Sequence, residues 1–123
     1  MPVQYLNEYK EDPEKGLRKM LGLRKLSADA RGNLARLAFE RDDLGAAALE
    51  FQRLLEVHED LAFKPGIATD LDNLAVIAQR RGDMKAACTA WTRSMTLYRE
   101  IGWAKAAESI STRMRAAGCT DGE

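Results

Sequence analysis

The 123-residue sequence predicts an all-α fold of about six helices, and three observations support this prediction. Helix start and stop signals recur along the chain, whereas no window alternates apolar and polar residues for long, as a half-buried strand would. The breaks between the predicted helices are short, which favours antiparallel neighbours. The third observation is that the central region of the chain is written twice, with a period of 40 residues.

Punctuation residues place the helices in order along the chain. The pair Asp12-Pro13 is a typical helix start, with aspartate at the N-cap and proline at the first helical position. The other N-cap candidates are Ser27, Asp43 and Asp83, the helix-ending glycines are Gly82, Gly102 and Gly118, and Pro65-Gly66 separates two helices. The predicted helices cover residues 14–25, 28–41, 44–62, 66–81, 84–101 and 104–117.

The internal repeat is clearest in the segments RGNLARLAFERDDLGAAALEF (31–51) and LDNLAVIAQRRGDMKAACTAW (71–91). A shift of 40 aligns identical residues at Asn33, Leu34, Ala35, Ala38, Arg41, Asp43, Ala46, Ala47 and Arg53 with Asn73, Leu74, Ala75, Ala78, Arg81, Asp83, Ala86, Ala87 and Arg93. It also aligns Phe51 with Trp91 and Phe63 with Trp103. Chance similarity between amphipathic helices does not keep break, cap and aromatics in register, so each copy is one unit of two helices.

The residue types of the repeat indicate close helix packing. Alanines such as Ala35 and Ala47 let two helices cross closely, and Phe51 or Trp91 fills the space beyond them. This spacing resembles the tetratricopeptide repeat (TPR), and the long second helix with GNLA and DNLA resembles its 40-residue Leu-Gly-Asn and kinesin-light-chain type. Ala35 and Ala38 depart from the glycine and tyrosine usual at those positions.

The resemblance covers residues 28–117 and implies a right-handed superhelical stack of antiparallel helix hairpins, an α-solenoid. It implies one domain with five segments: residues 1–26 as an N-terminal capping helix or degenerate hairpin, 27–63 and 64–102 as two repeats, 103–118 as a C-terminal capping helix, and 119–123 as a tail. Terminal caps are expected because a single repeat cannot bury both of its flanks.

The resemblance also implies a peptide-binding groove on the concave side, lined by the first helix of each repeat. Asp29, Asn33, Arg36 and Glu40 share one face of that helix, as do Thr69, Asn73, Val76 and Arg80 in the next copy. The candidate groove residues are Asn33, Arg36, Asn73, Val76, Arg80 and Arg113. Asparagine suits a peptide backbone, and arginine suits an acidic or carboxylate-bearing side chain. The alternative is that the asparagines form hydrogen bonds between repeats and that the arginines are solvated or paired with Asp29, Glu40 and Asp72.

Other function classes lack support in the sequence. Nineteen basic and nineteen acidic residues provide no net field that attracts nucleic acid or a membrane, and we expect neither as a partner. No catalytic motif, metal-spaced cluster or phosphate loop occurs, so we expect no enzyme, no cofactor and no metal. The single histidine, His58, aligns with Tyr98 and is expected to pack with an exposed polar tip.

Two further expectations concern the cell compartment and the cysteines. The N-terminus lacks the pattern of a signal peptide and no segment has the length of a spanning helix, which favours a cytoplasmic protein. Cys88 and Cys119 have no metal or redox motif spacing and are interpreted as free thiols.

The sequence thus favours a small non-enzymatic adaptor or scaffold that binds a peptide segment of another protein. One alternative is a structural protein that forms homo-oligomers through the outer flanks of its stack. A second alternative is a regulatory module of a signalling or transcription system.

Overall fold

The computed structural model describes residues 28–120, and this region of the chain is helical with no strand. Its five helices are α1 (Ala28–Glu40), α2 (Leu44–Asp60), α3 (Lys64–Arg80), α4 (Met84–Glu100) and α5 (Ala104–Ala116). The all-α prediction is confirmed. The predicted helix over 14–25, the N-cap candidates Asp12 and Ser27, and the N-terminal capping segment (residues 1–26) lie outside the described residues.

The four turns between these helices share one backbone conformation. Each turn has three residues, and its middle residue has a positive φ: 61° at Asp42, 52° at Ala62, 80° at Gly82 and 79° at Gly102. The third residue donates its backbone N–H to a carbonyl five residues earlier, as Asp83 does to Ala78 at 2.8 Å. This pattern is the Schellman helix end. The left-handed glycines predicted at helix ends are confirmed, and two turns achieve the same geometry without glycine.

The helix starts differ in their capping. Asp43 and Asp83 accept the backbone N–H of the residue three positions later, at 3.2 and 3.1 Å, which confirms both predicted N-caps. Phe63 and Trp103 stand at the N-caps of α3 and α5, where they make no side-chain capping bond. Pro65 lies in the first turn of α3, where its missing N–H costs no helical bond.

Each helix packs mainly on the next one along the chain, which gives a bundle with α3 between two apolar clusters. The first cluster joins α1, α2 and α3 through buried residues that include Phe51, Leu54 and Ile77. The second joins α3, α4 and α5 around Trp91 and Ile110. The α3 helix therefore anchors both halves of the described chain.

The predicted pairing of small and aromatic residues is confirmed in the core. Ala35, Ala47, Ala75 and Ala87 are fully buried, and the aromatic residue of each repeat is buried beside them. Trp91 also donates its indole N–H to Asp72 Oδ1 at 2.9 Å. The alanines and aromatic residues that recur in the two copies are thus core residues in both.

The two cysteines correct the sequence interpretation. Cys88 and Cys119 form a disulfide, with their Cα atoms 5.6 Å apart, so the prediction of two free thiols is wrong. Their sequence separation of 31 hides their proximity in the sequence. The antiparallel packing of α5 on α4, followed by the turn after α5, brings Cys119 back to α4. In residues 28–120, no helix combines the length and apolarity needed to cross a bilayer.

Candidate functional site

A groove of about 730 Å³ opens where α1, α2 and α3 meet the start of α5. Twelve residues line it: Gly32, Asn33, Phe51, Leu54, His58, Phe63, Pro65, Gly66, Thr69, Asp70, Asn73 and Trp103. Helices α1 and α3, which carry the first-helix positions of the two copies, both contribute to the lining, together with α2.

The two predicted asparagines come together in this groove. Asn33 lies on α1 and Asn73 lies at the repeat-equivalent position of α3. Each amide group can both donate and accept hydrogen bonds. The pair therefore presents two amides, one from each repeat, along the wall of one groove.

A smaller hollow of about 120 Å³ lies between α1 and α3, and it shares Asn73 with the groove. Arg36 and Val76, two further predicted residues, line this hollow together with Phe39 and Phe51. The structure therefore places four of the six predicted residues along the α1–α3 seam.

The arginine side chains are engaged within the protein. Arg36 Nη1 lies 3.1 Å from Glu40 Oε1 on the same helix. Arg80 lies outside both cavities, with its guanidinium 4.3 Å from the ring centre of Phe39 and its Nη1 3.7 Å from Asp42 Oδ1. Exposed pairs of this kind contribute little to stability, but they reduce the charge that a ligand would meet.

Arg113 is separated from the predicted set. Its Nη1 lies 2.5 Å from Asp72 Oδ1, the atom that also accepts the indole N–H of Trp91. The side chain thus ties α5 to α3 and does not line the groove. For Arg36 and Arg113, the structure shows the internal pairing with Glu40 and Asp72 that the sequence analysis kept as the alternative.

A buried histidine–aspartate pair, which was not predicted from the sequence, lies inside the groove. His58 Nδ1 on α2 lies 2.5 Å from Asp70 Oδ2 on α3, and both side chains are almost fully buried. When Asp70 is ionised its carboxylate accepts from Nδ1–H, which leaves Nε2 as the acceptor of the neutral ring. The expectation that His58 packs with an exposed polar tip is therefore corrected, because Asp70 holds the imidazole inside the groove wall.

Burial raises the pKa of Asp70 above its ordinary value of 3.8, and the hydrogen bond and charge of His58 oppose that rise. The loss of water around the carboxylate is thus the larger effect. One sequence signal pointed to the pair. The shift of 40 aligns Asp70 with Ile110, so a polar residue stands at a buried position that is apolar in the next copy.

Gly66 makes room for the imidazole. A Cβ added to this helical glycine would lie 2.6 Å from His58 Cγ and 2.7 Å from Phe63 Cδ2. Such distances are far below van der Waals contact, so any larger residue would displace one of the two rings. The positions of the His58 and Phe63 rings beside the groove therefore require glycine at the start of α3.

Two half-exposed aromatic side chains line the groove at the N-termini of α3 and α5. Phe63 is 50% exposed and its ring centre lies 5.5 Å from that of His58. Trp103 is 51% exposed and stacks on Tyr98, with ring centres 5.9 Å apart. The two residues are repeat equivalents, and the sequence alignment had already paired them without indicating that both face one groove.

Comparison with known proteins does not assign the site. No protein-family model matches the chain, and neither a curated protein nor a solved structure matches it. Within residues 28–120, no cluster of three or more His, Cys, Asp or Glu residues has the arrangement of a metal site. The chemistry of the groove lining is therefore the basis for a functional proposal.

Proposed function

We propose that this chain is a non-enzymatic protein–protein interaction module, a small adaptor of TPR type, which binds an extended peptide segment of a partner protein. The observation that carries the proposal is that Asn33 and Asn73, at equivalent positions of two repeats, line one open groove. Amides spaced by a structural repeat suit the regular N–H and C=O groups of a peptide backbone. The site comprises Asn33 and Asn73, with Arg36 and Val76 in the adjoining hollow.

The regular turns support a stacked, solenoid-like arrangement of hairpins. Helices α2, α3 and α4 have 17 residues each, and every turn between helices has three. One hairpin therefore takes 40 residues, the period of the sequence repeat. Repeats that contact only their neighbours form extended concave surfaces, which is the geometry that the proposed peptide site requires.

A binding role is favoured over catalysis by the surroundings of His58. Within the part of the chain that the structure describes, Thr69 has the single hydroxyl of the groove lining, and its Oγ1 is bonded to the Pro65 carbonyl at 2.9 Å and to Tyr98 at 2.8 Å. A nucleophile needs a base within hydrogen-bond reach, whereas the Thr69 hydroxyl is bonded to a carbonyl and a phenol. We propose no cofactor or metal for this groove, and neither nucleic acid nor a membrane as the partner.

The disulfide bears on the compartment of the protein. Disulfides persist in oxidising compartments, whereas cytosolic thiols are kept reduced. The cytoplasmic location stays a prediction, and the Cys88–Cys119 bond favours an oxidising compartment instead. Alkylation of thiols in intact cells, followed by mass spectrometry, decides between them: unmodified cysteines support the oxidising compartment, and two alkylated cysteines support the cytoplasm.

A peptide-display selection against the full chain tests the proposed function. We expect selected peptides to lose at least about tenfold in affinity for Asn73→Ala, because one lost backbone hydrogen bond leaves a polar group unpaired. Gln79→Ala is the matched control, since Gln79 is an exposed amide on the same helix outside the groove. If both variants bind the peptides equally, the amide groove is not the binding site.

The exposed flank of α1 supports self-association as a second candidate function. Leu34 and Leu37 are 45% and 42% exposed, whereas Ile77, the repeat equivalent of Leu37, is 2% exposed because it packs in the first apolar cluster. A second copy of the chain is one occupant that would cover this flank. Sedimentation equilibrium tests the idea, with a concentration-dependent mass that Leu34→Asp abolishes; a constant monomer mass would exclude it.

A further inference from the structure

The second copy of the repeat shows which residues the same fold can accommodate at the positions of His58 and Asp70. In the next copy, Tyr98 replaces His58 and Ile110 replaces Asp70, and both replacements are buried. A largely apolar pair therefore fills these positions in the same architecture. A buried ion pair often adds no stability over well-packed apolar residues, so the fold does not account for the presence of His58 and Asp70.

The stability of the fold does not account for Phe63 and Trp103 either. Asp43 and Asp83 cap their helices, whereas the equivalent turn position before α3 and α5 carries Phe63 or Trp103 and forgoes the capping bond. A residue that lacks a cap and leaves half of a large ring in water stabilises the free protein little. Large exposed aromatic side chains beside a groove are typical of binding sites.

The charges along the groove favour a positively charged occupant. Among the described residues that line the groove, Asp70 has the single carboxylate, and neither lysine nor arginine is present. The nearby ammonium of Lys64 lies 3.2 Å from Glu100 Oε2 and is matched by it. The N-termini of α3 and α5, whose N-cap residues are Phe63 and Trp103, contribute the opposite sign, each with roughly half an elementary charge that solvent screens at these half-exposed positions.

The remaining polar groups of the lining can accept hydrogen bonds. The amides of Asn33 and Asn73 accept as well as donate. A neutral His58 ring that donates from Nδ1 to Asp70 has Nε2 as an acceptor. The faces of Phe63 and Trp103 carry the negative part of the ring quadrupole and attract cations. Gly66 leaves room for the rings of His58 and Phe63, because a Cβ at this position would clash with both.

We propose that the Phe63–Trp103 part of the groove binds a basic side chain, lysine or arginine, of the partner peptide. This inference rests on the proposed peptide-binding function and specifies its ligand. The ammonium or guanidinium group packs against the two exposed rings and is attracted by the Asp70 carboxylate behind them. The partner segment is therefore basic at this position, in contrast to the acidic segment expected from the arginines.

The test uses capped pentapeptides of sequence Ala-Ala-X-Ala-Ala, with X as lysine, arginine, norleucine or glutamate, titrated into the ¹⁵N-labelled full chain. The Trp103 indole N–H is the reporter, and the buried, hydrogen-bonded Trp91 indole is the internal reference. We expect saturable shifts of Trp103 with lysine and arginine, and about five- to tenfold weaker binding of norleucine, which has the same apolar stem without the charge.

Two variants complete the design. Asp70→Asn keeps the shape of the side chain and is expected to remove the preference for lysine over norleucine. Leu49→Ala is the control, since Leu49 is an equally exposed apolar residue outside the groove and should leave all affinities unchanged. The spectrum of each variant reports whether it is folded.

Every other result overturns the inference. Equal binding of norleucine and lysine would show an apolar pocket, and tighter binding of glutamate would show an anion site. An absence of Trp103 shifts with all four peptides would show that this part of the groove binds no such side chain. If display selection still yields peptides that depend on Asn73, the proposed function survives this failure, whereas the loss of both results rejects it as well.

Discussion

The two copies of the repeat share a sequence skeleton but differ in how completely their neighbours cover them. Trp91 of the second copy is 1% exposed and hydrogen-bonded to Asp72, whereas its equivalent Phe51 borders the groove and has no polar group to pair. The second copy is flanked by α2 and α5, and its apolar residues are covered on both sides. The first copy keeps Leu34 and Leu37 half exposed.

This contrast shows how position in an array changes the role of equivalent residues. In a repeat protein each unit contacts its neighbours only, so an interior unit gains two interfaces. The covered positions of the second copy are therefore occupied by apolar residues. His58 and Asp70 are the polar exceptions beside the groove, because Tyr98 and Ile110 show the more apolar solution, and we propose that they serve ligand binding.

The largest expected effect is at the interior core. Trp91→Ala should lower the free energy of unfolding by about 3–5 kcal/mol, since it removes a fully buried ring and leaves Asp72 without its indole partner. Urea denaturation followed by circular dichroism measures the loss. The control is Trp103→Ala, which removes an exposed indole and should cost less than about 1 kcal/mol. Equal losses for the two tryptophans would contradict the description of the core.

A smaller effect is expected from the glycines of the groove wall. Gly66→Ala converts the position to the alanine found in the next copy at Ala106, and it should destabilise by about 1–3 kcal/mol because the new Cβ meets His58 and Phe63. Gly32→Ala has no atom within 4 Å of its Cβ and should stabilise α1 by about 0.5–1 kcal/mol. Thermal unfolding of both variants compares them directly; stabilisation by both would show that the imidazole can move aside.

The buried carboxylate predicts a dependence on pH that the apolar copy lacks. The pKa of Asp70 is raised in the folded state, so folding favours its protonated form. Its contribution to stability is therefore fully present below the unfolded value of 3.8 and is lost as the pH rises through the folded pKa. Stability measured from pH 3 upwards should thus fall for the wild type relative to Asp70→Asn. A constant difference between the two would contradict the raised pKa.

The smallest effect is expected in the turns. Ala62 holds a positive φ of 52° where the next copy has Gly102, so Ala62→Gly should stabilise by about 0.5–1 kcal/mol. The reverse change, Gly102→Ala, should destabilise by a similar amount, and the Cβ of that alanine would meet no neighbouring atom. Denaturant midpoints measure both variants. Destabilisation by Ala62→Gly would show that this turn gains more from the alanine side chain than it loses in strain.

Local signals were sufficient to predict most of the helices. Asp43, Asp83 and the glycines at 82, 102 and 118 act on their own neighbouring backbone, so their meaning can be read without the fold. The end of α2 shows the limit of such local signals. The helix stops at Asp60, and the left-handed residue of the following turn is Ala62, which no sequence pattern marks.

The candidate site was predicted incompletely, for a related reason. Asn33 and Asn73 were found because the repeat places them on one face of equivalent helices. Arg113 lies apart from them, because it pairs with Asp72 on another helix 41 residues away, and the His58–Asp70 pair was missed because it forms between helices. Contacts that depend on two helices at once leave no trace in the periodicity of either.

The Cys88–Cys119 bond also determines how far the chain can be drawn out. A force applied to its two ends would pass across the bond and bypass the segment between the cysteines, which contains most of α4 and all of α5. The segment of 31 peptide steps would reach roughly 100 Å if extended, so the reduced chain is longer by about that length when pulled. The last helical hairpin is thus a closed loop, mechanically separate from the first.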